Sequence, residues 1–410
     1  MRPRLLLLLP SNTYRATAFL DAAGRLGADL TVASDHVSVF SEAQPDNLLA
    51  LDFRDPAAAA RRVAEFAQRH PLAAVFGVDD DTAVIAAHIA AALGLRHSTV
   101  DACEAARDKH RQRVLMARDG LAVPAFALHR FADDLAARSR SAPYPCVLKP
   151  LRLSMSRGVI RADDPEQFVR AAARLREIAA DSASPDAFIV EQFVPGLEFA
   201  LEGVLEDGQL RVLAVFDKPD PLDGPLFAET IYVTPSRLSD GDQQRLALTV
   251  GQAADALGLT RGPVHAELRL NAGGVWLIEM AARPIGGRCS SILRFGADAE
   301  VSLEELLLSG ALKAWERGSA GAWEREDAAA AVYMIPVPRA GTLRSVSGVS
   351  DARRLPWVDD VVITAHEGQA LLPLPEGNQY LGFIFAWAPS PEEAGRAVRD
   401  AHAKLSFELV

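Results

Sequence analysis

Over the first hundred residues, short runs that are apolar throughout alternate with alanine-rich stretches whose apolar positions recur at helical spacing. RLLLLLP, DLTVAS and LAAVFGV read as strands, with helices through AFLDAAGRLG and AAAARRVAEFAQRH between them. Strands without polar alternation are buried on both faces, so the rhythm predicts a parallel sheet with helices on either side. Such a sheet carries its ligand beyond the carboxyl ends of its strands, here near residues 10–14 and 78–81. The first loop has no GxGxxG, which argues against a dinucleotide-binding dehydrogenase. The acidic triplet Asp79, Asp80 and Asp81 stands just before VIAAHIAAALG and reads as a helix cap in preference to a metal site.

Beyond residue 100 the pattern changes. DKHRQRVLMARDGLAVPAF predicts a helix, a glycine turn and a strand, and RSRSAPYP a loop before the strand CVLKP. FIVEQFVPG, FALEGVLEDGQLRVLAVF and ETIYVTP alternate, with the DG turn of an antiparallel hairpin. From about residue 328, AVYMIPV, DVVITAHEG, LGFIFAWA and a helix through PEEAGRAVRDAHAKL predict a smaller carboxy-terminal subdomain, in which Trp357 and Tyr380 are expected in the core. The expected fold class is therefore α/β followed by α+β. The expected divisions are an amino-terminal Rossmann-like domain over 1–100, a central domain over 101–320 with a lid at about 123–195, and a carboxy-terminal subdomain over 321–410.

Length agrees with several subdomains around a cleft, since 410 residues exceed what one core serves. A net charge of -11 with no long basic run excludes a nucleic-acid surface. The five leucines of MRPRLLLLLP end at a proline without a small-residue cleavage site, so they are expected to form a buried strand in place of a signal peptide. No apolar run is long enough for a bilayer span. Cys103, Cys146 and Cys289 lack metal spacing and fit buried small hydrophobes in a reducing cytoplasm.

The chemistry concentrates in VHAELRLNAGGVWLIEMAARPIGGR, two strands joined by the turn-rich NAGG. Glu267 and Glu279 are twelve positions apart, and a three-residue connection would set them opposite each other on one face, within reach of a bridging divalent ion. His265 and Arg269 share the face of Glu267. A solvent-facing Glu and Arg ladder is the competing reading. The continuation favours a site: Arg283 is followed by Gly286, Gly287 and Arg288 in a loop that lets backbone approach an anion. Paired carboxylates for Mg2+ beside an arginine and free amides are what phosphoryl and acyl transfer require. Lys149 ends CVLKP, where a buried lysine needs an anion, and the small-residue loop that follows could close over phosphates. In VEQFVPGLEF, backbone near Glu191 suits an adenine edge and Glu198 suits ribose hydroxyls.

Taken in order, Lys109, Lys149, SRGV, VEQFVPGLE, Glu267, Glu279 and Arg283 resemble the ATP-grasp superfamily, from the first strand to the final helix. HAE followed by LIEMAARPIGG is most similar to bacterial L-amino acid ligases and the related carnosine-synthase branch. The resemblance implies that Lys109 and Lys149 contact ATP phosphates, that Ser154, Ser156 and Gly158 belong to a mobile phosphate-covering loop, and that Lys149 also takes part in catalysis. It implies adenine contacts at Glu191, Gln192, Phe193 and Val194, ribose at Glu198, and one or two Mg2+ on Glu267 and Glu279, with Mn2+ as a substitute. Arg283 would stabilise an acyl phosphate and the tetrahedral intermediate, His265 would stand near the reacting carboxylate, and Gly286, Gly287 and Arg288 would receive the carboxylate substrate. The implied activity is an ATP- and Mg2+-dependent ligase joining a small-molecule carboxylate to an amine with release of ADP and phosphate, without nucleic-acid or membrane partners, in a family where homodimers are frequent. Two departures stand out: Ala281 replaces the metal-binding Asn of many relatives, and the phosphate loop is glycine-poor beside the biotin-carboxylase type. The alternatives are a ligase acting on a purine-pathway intermediate or bicarbonate, a kinase that stops at phosphorylation, and a nucleotide-binding regulatory protein without catalysis.

Overall fold

The structure is a computed structural model and describes residues 2–36, 46–180, 182–312 and 323–410. The boundary expected at 320/321 lies outside the described residues.

Leu5, Leu6, Leu7 and Leu8 are wholly buried in the strand Arg4–Leu8 because helices cover both faces of its sheet. Leu5 and Leu7 pack with Phe19 and Ala22 of the helix Ala16–Arg25. Leu6 and Leu8 pack with Val63 of Pro56–Ala67 and with Ile85 and Ile89 of Asp80–Leu93. Each such leucine contributes roughly 1.5–3 kcal/mol, which explains a run with no polar member. The sheet is parallel, in the order Leu48–Ala50, Asp29–Ser34, Arg4–Leu8, Ala74–Gly77. The sequence pattern gives no sign of Leu48–Ala50, which at three residues is too short to show a period.

A second sheet is antiparallel, in the order Phe126–Arg130, Ala187–Gln192, Cys146–Pro150, Ile160–Ala162. Phe168, Ala172 and Leu175 of the helix Pro165–Ala179 close one face of it against Phe188. Lys149 and Glu191 lie on neighbouring strands of this sheet.

The largest sheet has eight antiparallel strands, in the order Gly274–Ala281, Gly262–Asn271, Leu197–Glu206, Gln209–Lys218, Ile231–Thr234, Ala329–Pro336, Tyr380–Ala388, Val358–Ile363. The hairpin Leu197–Glu206 to Gln209–Lys218 turns at Asp207 and Gly208, both at positive φ (51° and 83°), as a tight hairpin requires. Three strands from the last eighty residues therefore continue the central sheet, where pairing between Ile231–Thr234 and Ala329–Pro336 covers what would otherwise be an exposed edge. A smaller sheet of Ala370–Leu371, Gly341–Ser347 and Ser406–Leu409 stands apart from it. Trp357 is not in the core: it is 51% exposed, in a turn at φ 67°. No described helix is long and apolar enough to cross a membrane.

Candidate active site

The parallel sheet, the four-stranded antiparallel sheet and one end of the central sheet border a cavity of about 1220 Å³. Of the candidate catalytic, nucleotide, metal and substrate residues named from the sequence, all line this cavity except Gly158. The strand-end loops at Asn12–Arg15 and Asp79–Asp81 also line it, and so does Tyr380, which was expected in the core.

Glu267 and Glu279 do stand opposite each other, but by a different route from the one expected. The hairpin closes at Asn271 and Gly274, leaving a two-residue connection, and Asn271 Oδ1 fixes it by accepting from the Gly273 amide at 2.8 Å. That register alone would set Glu267 against Ile278. A bulge between Leu268 and Glu267 shifts the pairing by one residue and restores the carboxylate pair. The side chain of Glu267 is 20% exposed and that of Glu279 31%. Lys109 Nζ meets Glu279 Oε1 at 2.9 Å and donates to the Leu153 carbonyl at 2.8 Å, tying this carboxylate to the start of the loop that carries Ser154 and Ser156.

On the other side of Glu267 lies a cluster that the sequence reading missed. Lys218 is buried at the end of Gln209–Lys218 and meets Glu198 at 2.5 Å, Glu229 at 2.9 Å and Glu267 at 3.5 Å. The Tyr232 hydroxyl bonds Glu229 at 2.8 Å. Burial lowers the Lys218 pKa, but the three carboxylates reverse this and leave it raised. Glu267 is held down to about 2 despite burial, by Lys218 and by the nearby His265 ring, so it is ionised. The rule that drew attention to Lys149, that a lysine on a buried strand must meet an anion, applies equally to Lys218 and would have found it.

Glu198 is shared: Arg269 Nε meets its second oxygen at 2.8 Å. Arg269 also donates to the carbonyls of Val194, at 2.7 Å, and Leu222. This arginine therefore fixes the linker expected to face adenine. Glu191 turns its side chain away from that linker into an ion pair with Arg113 and another with Lys149, both at 2.7 Å. Burial would raise the Glu191 pKa, but the two cations pull it down to about 2.

Arg283 meets Asp80 at 3.1 Å. Asp79 alone is the cap expected of the acidic triplet, accepting from the Thr82 amide at 2.8 Å, while Asp81 pairs with Arg107. Burial works against the Asp80 carboxylate, but Arg283 outweighs it and the pKa falls. His265 stands with Nδ1 3.5 Å from Glu202 and Nε2 3.8 Å from Glu267, and these carboxylates raise its pKa against burial. Glu202 accepts from the Ile285 amide at 3.1 Å and so anchors the loop after Arg283.

Two of the glycines also meet packing demands. The Gly158 amide donates to the Pro375 carbonyl at 2.9 Å, and a Cβ at its φ of 74° would come 2.8 Å from Leu175, so this residue seats the loop. A Cβ on Gly287, at φ 57°, would fall 2.2 Å from the Met334 sulfur, so a side chain there would displace Met334. Gly286 does face the cavity, where a Cβ would have nothing closer than 3.9 Å.

Among the described residues no group of three or more His, Cys, Asp or Glu side chains forms a metal cage. Two ionisable carboxylates facing each other still suit Mg2+, which keeps several waters and takes phosphate oxygens.

A parallel sheet, an antiparallel lid and a central antiparallel sheet around paired carboxylates, lysines and an arginine define the ATP-grasp class of nucleotide-binding proteins. Family models match in sequence order: ATP-grasp N-terminal domain over residues 20–97, ATP-grasp domain over 142–292, and L-amino acid ligase C-terminal domain 2 over 333–410. The chain belongs to the ATP-grasp superfamily, with the carboxy-terminal region of an L-amino acid ligase. It is 30% identical over 243 residues to alanine--anticapsin ligase of Bacillus subtilis, a match over 53% of this chain and 50% of that protein. The chain thus spans about half the length of the curated relatives it matches. The L-amino acid ligase of Bacillus licheniformis superposes with a TM-score of 0.85 at 27% identity, covering 100% of this chain and 99% of that one. Phosphoribosylglycinamide synthetase of Anaerococcus prevotii shares the fold, at a TM-score of 0.68 and 15% identity over 100% of both chains.

Proposed function

We propose that the protein is an ATP-dependent carboxylate-amine ligase that joins amino acids, or an amino acid and a related amine, through an acyl phosphate. The observation that carries this reading is the facing carboxylates Glu267 and Glu279 beside Arg283, at the meeting of the three sheets. The 27% identity to an L-amino acid ligase over nearly its whole length supports the choice of substrates, whereas the purine-type relative shares only the fold.

ATP lies between lid and central sheet, with adenine against the linker held by Arg269 and its phosphates toward Lys149, Lys109 and the loop containing Ser154 and Ser156. Glu267 and Glu279 would hold Mg2+, with Ala281 contributing no ligand, and the ion when bound would offset phosphate charge. The substrate carboxylate oxygen attacks the γ-phosphorus and the bond to ADP breaks. Arg283, steadied by Asp80, neutralises charge on the resulting acyl phosphate. The amine nitrogen then bonds the carbonyl carbon, the carbon to phosphate-oxygen bond breaks, and the phosphate carries off the amine proton. Closure of the lid keeps water from the intermediate.

The test is ADP release from pairs of L-amino acids with ATP and Mg2+, with products identified by mass spectrometry and hydroxylamine added to trap the acyl phosphate. An amide product and a hydroxamate are expected. ADP release with a phosphorylated substrate as end product, and no amide from any pair, would contradict the reading.

A further inference from the structure

Phe193 belongs to the linker that follows the strand Ala187–Gln192, and it lines the cavity. Its amide donates to the Pro145 carbonyl at 2.8 Å, and its ring lies beneath two guanidinium groups. Arg269, on the central strand Gly262–Asn271, stands 5.0 Å from the ring centre. Arg161, on the strand Ile160–Ala162 of the four-stranded sheet, stands 4.4 Å from it. Both distances are within the range at which an aromatic face attracts a cation. The same two arginines take consecutive carbonyls of the loop after Lys218: Arg269 donates to Leu222, and Arg161 to Asp223 at 2.7 Å. The Arg161 amide adds a bond to the Pro225 carbonyl at 2.9 Å, and Ile160 forms a bridge with Leu226. Phe193, the two arginines and Leu222–Asp223 thus make a closed bracket between the four-stranded sheet and the central one. Arg269, Phe193 and Leu222 line the cavity, whereas Arg161 does not.

We infer that Arg161 is a positioning residue for the adenine of ATP, acting through the Phe193 ring from outside the cavity. The inference rests on the proposed placement of adenine against this linker. Arg269 ties the linker to the central sheet, through the Val194 carbonyl and Glu198. Arg161 ties the same linker to the edge strand of the four-stranded sheet. With both in place, the linker has one position relative to both walls of the nucleotide site. A site so ordered in advance loses less of its binding free energy to ordering when the base arrives.

The test is calorimetric binding of ATP and of tripolyphosphate, each with Mg2+, to the wild type, Arg161→Met, Phe193→Leu and the double variant, with melting recorded alongside. Tripolyphosphate carries the charge without a base, so it reports the phosphate contacts alone. Arg161→Met is expected to weaken ATP binding by roughly three- to thirtyfold and tripolyphosphate binding by less than about twofold. Phe193→Leu should weaken ATP similarly, and Arg161→Met added to it should cost less than it does alone, because both changes interrupt one contact. Arg161→Lys keeps a cation over the ring without the planar fork, so it should fall between wild type and Arg161→Met. It carries the test by itself if Arg161→Met does not melt cooperatively. Equal losses for the two ligands, as a general loosening of the four-stranded sheet would give, would overturn the inference. So would additive losses in the double variant, or wild-type ATP affinity in the Arg161 variants. A wild type that binds tripolyphosphate as tightly as ATP would remove adenine from the linker, and the inference would fall with that placement.

Discussion

Around Glu267 and Glu279 the cations are already satisfied: Lys109 by Glu279, Lys149 by Glu191, and Lys218 by Glu198, Glu229 and Glu267. Against the Tyr14 face of the same cavity, Arg15 meets only carbonyls, and Arg288 Nε meets nothing. The first region is an ionic frame whose geometry exists before any ligand arrives, which keeps reorganisation small when phosphate charge develops. The second holds two guanidinium groups that meet no carboxylate among the described residues. Substitutions in the frame should therefore act on turnover and stability, and those in the second region on substrate affinity.

The largest effect is expected for Glu279→Gln. A neutral amide is a poorer ligand for a hard cation and also releases Lys109, so ADP formation should fall by about three orders of magnitude or more with the fold retained. Unaltered turnover in a variant of normal circular dichroism would remove Glu279 from the frame. Arg283→Ala should follow, with kcat lower by roughly 10²–10³ and ATP binding near normal, because its charge is needed mainly in the transition state. A large rise in the ATP Kd at normal kcat would assign Arg283 to ground-state binding instead.

Glu191 tests whether the frame also stabilises the lid. Glu191→Gln leaves Arg113 and Lys149 facing an amide in a buried position, which should cost about 3–5 kcal/mol and lower the melting temperature. The pH dependence follows from the same pair of cations. The folded carboxyl titrates at about 2 against an ordinary 4.5, so folding favours the ionised form. Its contribution, on the order of 3 kcal/mol, is complete above pH about 4.5 and is lost as the pH falls toward 2. Melting between pH 5 and pH 2, where these values place the titration, should show a steeper acid decline in the wild type than in Glu191→Gln. Parallel declines would mean that Glu191 carries no such linkage.

Which parts of this were legible beforehand depends on the range of the interaction. Apolar runs and the NAGG turn are local, so the parallel sheet and the hairpin that carries Glu267 and Glu279 could be read directly. The bulge that produces that pairing could not, because a one-residue slip leaves the same residues in the same order. Asp80 and Arg283 are 203 positions apart, and nothing in DDD distinguishes the member that caps from the member that reaches the site. Gly158 and Gly287 resemble ligand-facing glycines in sequence, and nothing there shows that a side chain at either would press on Leu175 or Met334. Trp357 carries a core residue's chemistry on a turn whose positive φ points to no packing partner visible in sequence.

The smallest effect is expected at the rim, where the lid meets the carboxy-terminal part of the chain. Arg174 pairs with both oxygens of Glu376, Arg157 Nε donates to the Glu376 carbonyl at 3.2 Å, and the Gly158 amide donates to the Pro375 carbonyl. These contacts resemble the buried frame in kind but differ in exposure: the Arg174 side chain is 47% exposed and that of Glu376 34%. Arg174 lowers the Glu376 pKa, yet a pair so open to water is worth about 1 kcal/mol or less. Glu376→Ala should therefore raise the KM for ATP by no more than roughly fivefold, leave kcat nearly unchanged, and lose its difference from wild type as salt is added. The backbone bonds to Pro375 and to the Glu376 carbonyl survive that substitution, so the loop keeps its seat. A kcat loss comparable to that of Arg283→Ala, persisting at high salt, would mean that the rim belongs to the catalytic frame and that exposure is the wrong basis for separating the two.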